Sequence, residues 1–247
     1  LISIMAANNE IGVIQPIAQI GDFCRKNKII LHVDAAQAIG KINIDMKEMN
    51  IDLMSMSSHK IYGPKGVGCL YINQETMRNK ISPISYGGTQ ERGFRPGTLA
   101  VHNIAGFGEA CRIITNEIEA DIKHIKLLTE LFYSKINSGY SETVLNGNKD
   151  KRIPGNLNLT FKKLSTQPLI QKFKDVAVSS GSACTSSSPE PSHVLKAIGL
   201  NDSLIKSTIR IGIGRFNTVD EINKAADYIL KIINKLKINK KEAINGR

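Results

Sequence analysis

Short apolar runs alternate with a helical pattern through the first hundred residues of the chain. Runs of strand length occupy residues 1–5, 29–33, 53–57 and 67–72, and residues 16–28 open on a proline and end on basic side chains. Proline suits the first turn of a helix, and basic groups suit its last turn. The alternation predicts βα units with a mostly parallel sheet, an α/β fold that binds ligands at the carboxyl ends of its strands.

A longer helical pattern follows between residues 104 and 136, where apolar side chains recur every three or four residues. This spacing predicts one long amphipathic helix that ends before Gly139. Because the pattern changes after this helix, we expect a domain boundary within it. Residues 1–115 are predicted to belong to one domain and residues 116–247 to a smaller second domain.

The second domain is predicted to mix strands and helices. Strands are expected at residues 156–161, 176–179 and 207–213, and Pro191 is a candidate first residue of a helix. Thr218 with Glu221 three residues later forms a capping-box pattern, which predicts the start of a last helix.

Composition excludes several classes of function. The 247 residues are 41% hydrophobic and 22% charged, and no apolar run approaches the roughly 18 residues that span a bilayer. The net charge of +11 arises from lysines spread along the chain, and only residues 235–241 form a dense basic run. A solvated helix end explains that run. We therefore expect neither a membrane nor a nucleic-acid partner.

The four cysteines are too few and too dispersed for a disulfide framework, and none has the spacing of a metal site. Cys24, Cys69 and Cys111 have apolar neighbours and are interpreted as core residues, whereas Cys184 lies among Ser, Gly and Thr. A reducing compartment is expected, cytoplasmic or, in a eukaryote, the mitochondrial matrix. Because the chain opens on a strand-like run with Leu1, we also expect a part of the protein upstream, with any targeting segment in it.

Two polar positions follow predicted strands. Asp34 comes directly after residues 29–33. A desolvated carboxylate at that position requires a positively charged partner, such as a pyridinium nitrogen. The alternative is that Asp34 is a turn or helix-cap residue, which is also common at the end of a strand. Lys60 follows residues 53–57, with hydroxyls before it and glycines after it. Such a lysine could hold an aldehyde cofactor beside hydroxyls that bind its phosphate, or it could simply face solvent.

The Ser- and Gly-rich segment at residues 179–192 carries Cys184. A thiol in an exposed loop is accessible and can be deprotonated, which favours a reactive role. The alternative is a linker with an incidental cysteine.

Taken together, these segments resemble one family. The chain is similar, as far as about Lys237, to cysteine desulfurases of the iron–sulfur assembly type, which are class V aminotransferases with the fold type I of pyridoxal-phosphate (PLP) enzymes. The resemblance rests on residues 8–12, 34–37, 58–66, 87–98, 210–215 and the Cys184 segment. It implies that residues 1–115 are the C-terminal portion of the large PLP-binding domain.

The resemblance also implies roles for single residues. Cys184 and Lys60 would be catalytic, with Lys60 forming the Schiff base to PLP. The cofactor would further contact Asp34 at the pyridine nitrogen, Gln37 at the phenolic oxygen, Ser57 and His59 at the phosphate, Thr98 at the neighbouring subunit's phosphate, and Asn9. Asn9 and Arg210 would position the substrate, and Arg210 would grip its carboxylate. No resident metal is expected, apart from a transient iron–sulfur ligation by Cys184.

The expected reaction takes sulfur from L-cysteine, releases L-alanine and leaves a persulfide on Cys184. The resemblance implies a homodimer and an iron–sulfur scaffold or other sulfur acceptor as partner. Two alternatives stay open: a selenocysteine lyase on the same fold, and a non-catalytic remnant or split-gene product of the family.

Overall fold

The computed structural model describes residues 1–77, 80–164, 169–180 and 191–245. The chain forms two compact units: the first consists of Leu1–Ala7 and Ile14–Ile118, and the second of Asn8–Val13 and Glu119–Arg247. The short segment Asn8–Val13 therefore belongs to the second unit although its sequence neighbours belong to the first. The domains expected from the sequence contain no such exchange, and their boundary stays a prediction.

The first unit is built on a four-stranded sheet. Its elements in chain order are β1 (Ile2–Met5), α1 (Ile17–Lys26), β2 (Leu31–Asp34), β3 (Leu53–Ser57), β4 (Gly68–Ile72), α2 (Gln74–Met77) and the start of α3 (Val101–Gly139). Strands β1, β2 and β3 are parallel, whereas β4 pairs antiparallel with β3. The predicted strands and the mostly parallel sheet are confirmed.

Alternating burial explains how these strands and helices pack. Leu31 and Val33 of β2 are fully buried, and α1 buries Ile17 and Cys24 on one face. The amino-terminal part of α3 packs Phe107, with Ala110 and Ile114, against Ile61. These contacts fix the backbone immediately after β3, where Lys60 lies.

The second unit is built on a three-stranded antiparallel sheet in the order β5 (Thr143–Leu145), β6 (Asn156–Phe161), β7 (Thr208–Gly212). The short helices α4 (His193–Ala197) and α5 (Asp202–Lys206) precede β7, and α6 (Val219–Asn245) follows it. Every residue of β6 is buried, and the carboxyl-terminal part of α3 packs Phe132 and Ile136 into a core that α6 completes with Ile229 and Ile233.

Most predicted elements of this unit are confirmed. The long helix is α3, and the strands at 156–161 and 207–213 are β6 and β7. At the capping box, the Thr218 amide donates to Glu221 Oε2 at 2.9 Å and the Glu221 amide donates to Thr218 Oγ1 at 3.3 Å.

Two expectations are wrong, and one strand was missed. Residues 176–179 form no strand, and only Ser179 pairs, in an isolated bridge to Arg210. Pro191 does not open α4, because Ser192 is its cap and accepts the Leu195 amide through its side chain. The strand β5 was not expected, since three residues are too few to show a pattern.

The cysteines also differ from expectation at one position. Cys24 is buried and Cys111 is half-buried, but Cys69 lies exposed on β4, so its assignment to the core is wrong. Within the residues described, no group of His, Cys, Asp and Glu side chains could hold a metal ion. In that same part of the chain, no helix is long and apolar enough to cross a membrane.

Candidate active site

Two neighbouring parallel strands carry the predicted cofactor residues of the first unit. Asp34 is the last residue of β2, Ser57 is the last residue of β3, and Lys60 lies in the 3₁₀ turn Ser58–Ile61 that follows. Because β2 and β3 are parallel, their carboxyl ends meet at the same edge of the sheet. Lys60 therefore follows a strand as predicted, whereas Asp34 is the last residue of its strand, and both residues lie at the same edge of the sheet.

The Asp34 carboxylate is oriented by its own backbone. Its Oδ1 accepts the Ala36 amide at 2.9 Å, and the Ala35 amide bonds to the Ser55 carbonyl of β3 at 2.9 Å. A carboxylate has room for about four hydrogen bonds, so Asp34 keeps capacity for a cationic partner. Gln37 lies half-buried three positions further along.

The residues around Lys60 form a compact polar turn. Ser57 Oγ and His59 Nδ1 are 2.9 Å apart, which brings the two predicted phosphate ligands together. The turn closes where the Gly63 amide donates to the Ser58 carbonyl at 3.1 Å, after Tyr62 in the left-handed region with φ 66°. Lys60 itself is half-buried.

The first unit also contains the other predicted phosphate ligand, Thr98. It lies exposed in the segment before α3. Its predicted role concerns a second subunit.

In the second unit, the two predicted substrate residues are in direct contact. Arg210 on β7 donates from Nη1 to the Asn9 carbonyl at 2.7 Å. Arg210 also donates from Nε to Ser179 Oγ at 3.0 Å, and the backbones of Ser179 and Arg210 exchange two hydrogen bonds of 3.0 and 2.7 Å. The guanidinium is therefore held at a fixed orientation beside Asn9.

A buried carboxylate that the sequence analysis missed lies next to this pair. Glu10 is only 4% exposed and accepts a 2.6 Å hydrogen bond from Ser192 at the start of α4. Burial raises the pKa of Glu10, while the Ser192 hydroxyl and the charges of His193 and Arg210 act in the opposite direction. An acid flanked by Asn9 and Ile11 has no local signal of burial, because its partner is 182 positions away.

Cys184, the predicted sulfur acceptor, lies outside the described residues. The structure describes Ser179 and Ser180 before it and Ser192 after it. Its role is untested by the geometry.

Comparison with known proteins shows the family. A family model described as Aminotransferase class-V matches residues 1–225, so the chain belongs to the class-V aminotransferase family. The chain is 51% identical over 237 residues to the cysteine desulfurase IscS of Colwellia psychrerythraea and 53% identical over 233 residues to the mitochondrial cysteine desulfurase of Saccharomyces cerevisiae. These alignments cover 96% and 94% of this chain but 58% and 46% of the relatives.

A solved structure agrees with this assignment. The NifS-like protein from Rickettsia africae superposes with a TM-score of 0.84 at 33% sequence identity, over 94% of this chain and 61% of that one. The chain thus spans about half the length of the relatives it matches. The predicted fold type I and the predicted cofactor, PLP, are those of this family.

Proposed function

We propose that this chain is the part of a PLP-dependent cysteine desulfurase that holds the cofactor, binds L-cysteine and receives its sulfur. The observation that carries the proposal is the placement of Asp34 and Lys60 at the carboxyl ends of adjacent parallel strands. The similarity to relatives named cysteine desulfurase favours this reaction over others of the family.

The donors of the first unit fit PLP by their chemistry. Lys60 supplies an amine for the cofactor's aldehyde, and the Asp34 carboxylate would pair with its pyridine nitrogen. Ser57 and His59, already 2.9 Å apart, would bind the phosphate, and Gln37 would donate to the phenolic oxygen. When bound, PLP supplies an electron sink that stabilises negative charge at the substrate's α carbon.

Substrate binding is assigned to the second unit. Arg210 would grip the carboxylate of L-cysteine, since a guanidinium offers two parallel donors to a carboxylate. Asn9 would contact the same amino acid, held in place by the bond from Arg210 to its carbonyl. Lys60 Nζ would move the proton at the substrate's α carbon once it is released from the cofactor.

Sulfur transfer is assigned to Cys184. Its thiolate would attack the substrate's sulfur, so that a sulfur–sulfur bond forms while the carbon–sulfur bond breaks. The electron pair of the broken bond stays on carbon and takes up a proton, which gives L-alanine. Cysteine and the enzyme thiol thereby become alanine and a persulfide, with no external oxidant required.

The proposal also includes a second copy of the chain and a sulfur acceptor as partners. A homodimer is supported by large apolar side chains exposed near residues 87–98, where Ile84 is 99% and Tyr86 is 83% exposed. A sulfur acceptor such as an iron–sulfur scaffold would take the persulfide sulfur. A reducing compartment, the cytoplasm or the mitochondrial matrix, suits a working thiol.

Lys60→Ala tests the cofactor assignment in the full-length protein. Loss of the amine should abolish the visible absorption band of covalently bound PLP, while the far-ultraviolet circular dichroism stays that of the wild type. Lys65→Ala is the matched control, because Lys65 is exposed in the same glycine-rich loop, and it should keep the band. A Lys60→Ala protein with an unaltered band would overturn the proposal.

A further inference from the structure

The turn that carries Asn9 is held along its whole length by hydrogen bonds from other residues of the second unit. The carbonyls of four consecutive residues, 9 to 12, all accept hydrogen bonds. Their donors are Arg210 Nη1 at 2.7 Å, Asn158 Nδ2 at 3.2 Å, Arg152 Nη1 at 2.6 Å and the Ile153 amide at 2.9 Å. This turn is therefore positioned from outside, and each donor fixes one peptide of it.

The turn is also closed internally by Asn8. Asn8 Oδ1 accepts the amides of Glu10 and Ile11 at 2.9 and 3.0 Å, and the Gly12 amide donates to the Asn8 carbonyl at 3.0 Å. Gly12 has φ 71°, and a Cβ there would lie 2.6 Å from Asn156 Oδ1. The backbone thus follows a single tight path beside β6.

Arg152 links this turn to the chain segments around β6, because its guanidinium donates both to the turn and to residues outside it. Besides the Ile11 carbonyl, its guanidinium donates to the carbonyls of Asn146, Asn148 and Asn156 and to Asn156 Oδ1. All these acceptors are neutral, and within the described part of the chain no carboxylate pairs with Arg152. Burial lowers the pKa of Arg152 to about 10, so the side chain stays charged at neutral pH.

A half-buried cation without a counter-charge is a costly way to stabilise a fold, because desolvation opposes it. What a guanidinium provides is geometry, since its five donors lie in one rigid plane and reach several carbonyls at fixed angles. The Ile11 carbonyl lies two residues from Asn9, and Arg210 bonds the Asn9 carbonyl itself.

We propose that Arg152 is a positioning residue for substrate binding: it holds the Ile11 carbonyl and thereby fixes the turn that presents Asn9 beside Arg210. The inference rests on the proposed function for its substrate, L-cysteine, but its structural part stands on the hydrogen bonds alone. Arg152 touches no reacting atom in this account. It fixes the turn that carries Asn9, the residue proposed to contact the substrate.

Arg152→Met and Arg152→Lys in the full-length protein test the proposal with two measurements. We expect Arg152→Met to raise the KM for L-cysteine roughly 10-fold with a smaller change in kcat, because substrate binding loses its fixed turn. In hydrogen exchange without substrate, the amides of Asn8, Glu10, Ile11 and Gly12 should exchange roughly 10-fold faster, since the turn opens locally. Arg152→Lys should recover only part of both effects, because an ammonium cannot reach several carbonyls in one plane.

Lys135→Met is the matched control. Lys135 makes three hydrogen bonds, to Asn223 and Asp227 on α6, and so loses a comparable set of contacts in the same unit without touching the turn. It should leave both the KM and the exchange of residues 8–12 at wild-type values. Unchanged exchange in Arg152→Met, or equal changes in both methionine variants, would overturn the proposal. Faster exchange with an unchanged KM would overturn the link to substrate and leave only a structural turn.

Discussion

In the two units, the predicted site residues find their hydrogen-bond partners at very different separations along the chain. In the first unit, Asp34 is oriented by Ala36 and Ser57 by His59, each a partner two residues away. In the second unit, Arg210 reaches Asn9 over 201 residues and Ser192 reaches Glu10 over 182. The cofactor residues predicted in the first unit thus lie in local turns at strand ends, whereas the predicted substrate residues Asn9 and Arg210 come together only after the second unit has folded.

The units also differ in whether particular buried hydroxyl groups find hydrogen-bond partners. The second unit contains a hydrogen-bonded network in which Asn146 donates to Asn158 and Thr160, and Thr160 bonds Thr208, all at 2.7 Å. In the first unit, the fully buried Ser58 hydroxyl has no hydrogen-bond partner among the described residues. The second unit therefore gains specificity from its polar interior, while Ser58 only costs stability.

Of the substitutions that test this difference between the units, Arg210→Lys should have the largest effect. The substitution keeps the charge but removes the planar group that donates to Asn9 and Ser179 and would grip the substrate carboxylate. We expect kcat/KM for L-cysteine to fall by about 100-fold, the range found when one oriented active-site donor is lost. Steady-state kinetics measure this, with the visible PLP band as the control.

The band should persist in Arg210→Lys because Lys60, the proposed point of covalent attachment of PLP, belongs to the first unit. If the band disappeared together with activity, the two units would not divide cofactor and substrate binding between them. If kcat/KM stayed within twofold of the wild type, Arg210 would not bind the carboxylate.

Thr160→Val and Ser58→Ala should change stability in opposite directions. Thr160→Val removes a hydroxyl that bonds both Asn146 and Thr208, so we expect unfolding to become easier by about 1–3 kcal/mol. Ser58→Ala removes a buried hydroxyl that lacks a partner, so we expect a gain of about 1 kcal/mol. Urea unfolding followed by circular dichroism gives both values. Destabilisation by Ser58→Ala would show that its hydroxyl is satisfied and that the units do not differ in this respect.

The sequence predicted the regular elements well where one pattern ran long enough. The ten residues of α1 and the 39 of α3 carry several turns of apolar periodicity, and β2 and β3 are short buried runs. Periodicity carries no information on strand direction, so the antiparallel pairing of β4 with β3 was not predicted. Residues 176–179 were expected as a strand, but only Ser179 forms a bridge, to Arg210.

The candidate site was likewise predictable only where the signal is local in the sequence. Asp34, Ser57, His59 and Lys60 could be placed from the strands before them, because their setting is local. The shared substrate role of Asn9 and Arg210 came from the family resemblance, but their contact was not predicted, and Glu10 and Arg152 were missed altogether. Glu10 accepts from a hydroxyl 182 residues away and Arg152 donates to a carbonyl 141 residues away, and such long-range bonds leave no pattern in the sequence around either residue.

The central claim is that sulfur from L-cysteine passes to Cys184. After incubation of the full-length protein with L-cysteine, mass spectrometry of its peptides should show one added sulfur on the Cys184 peptide and none on those of Cys24, Cys69 or Cys111. Cys184→Ser should keep the PLP band and still bind L-cysteine, but it should release no alanine, because a serine hydroxyl gives almost no anion near neutral pH. Added sulfur on another cysteine, or alanine release by Cys184→Ser at the wild-type rate, would contradict the account.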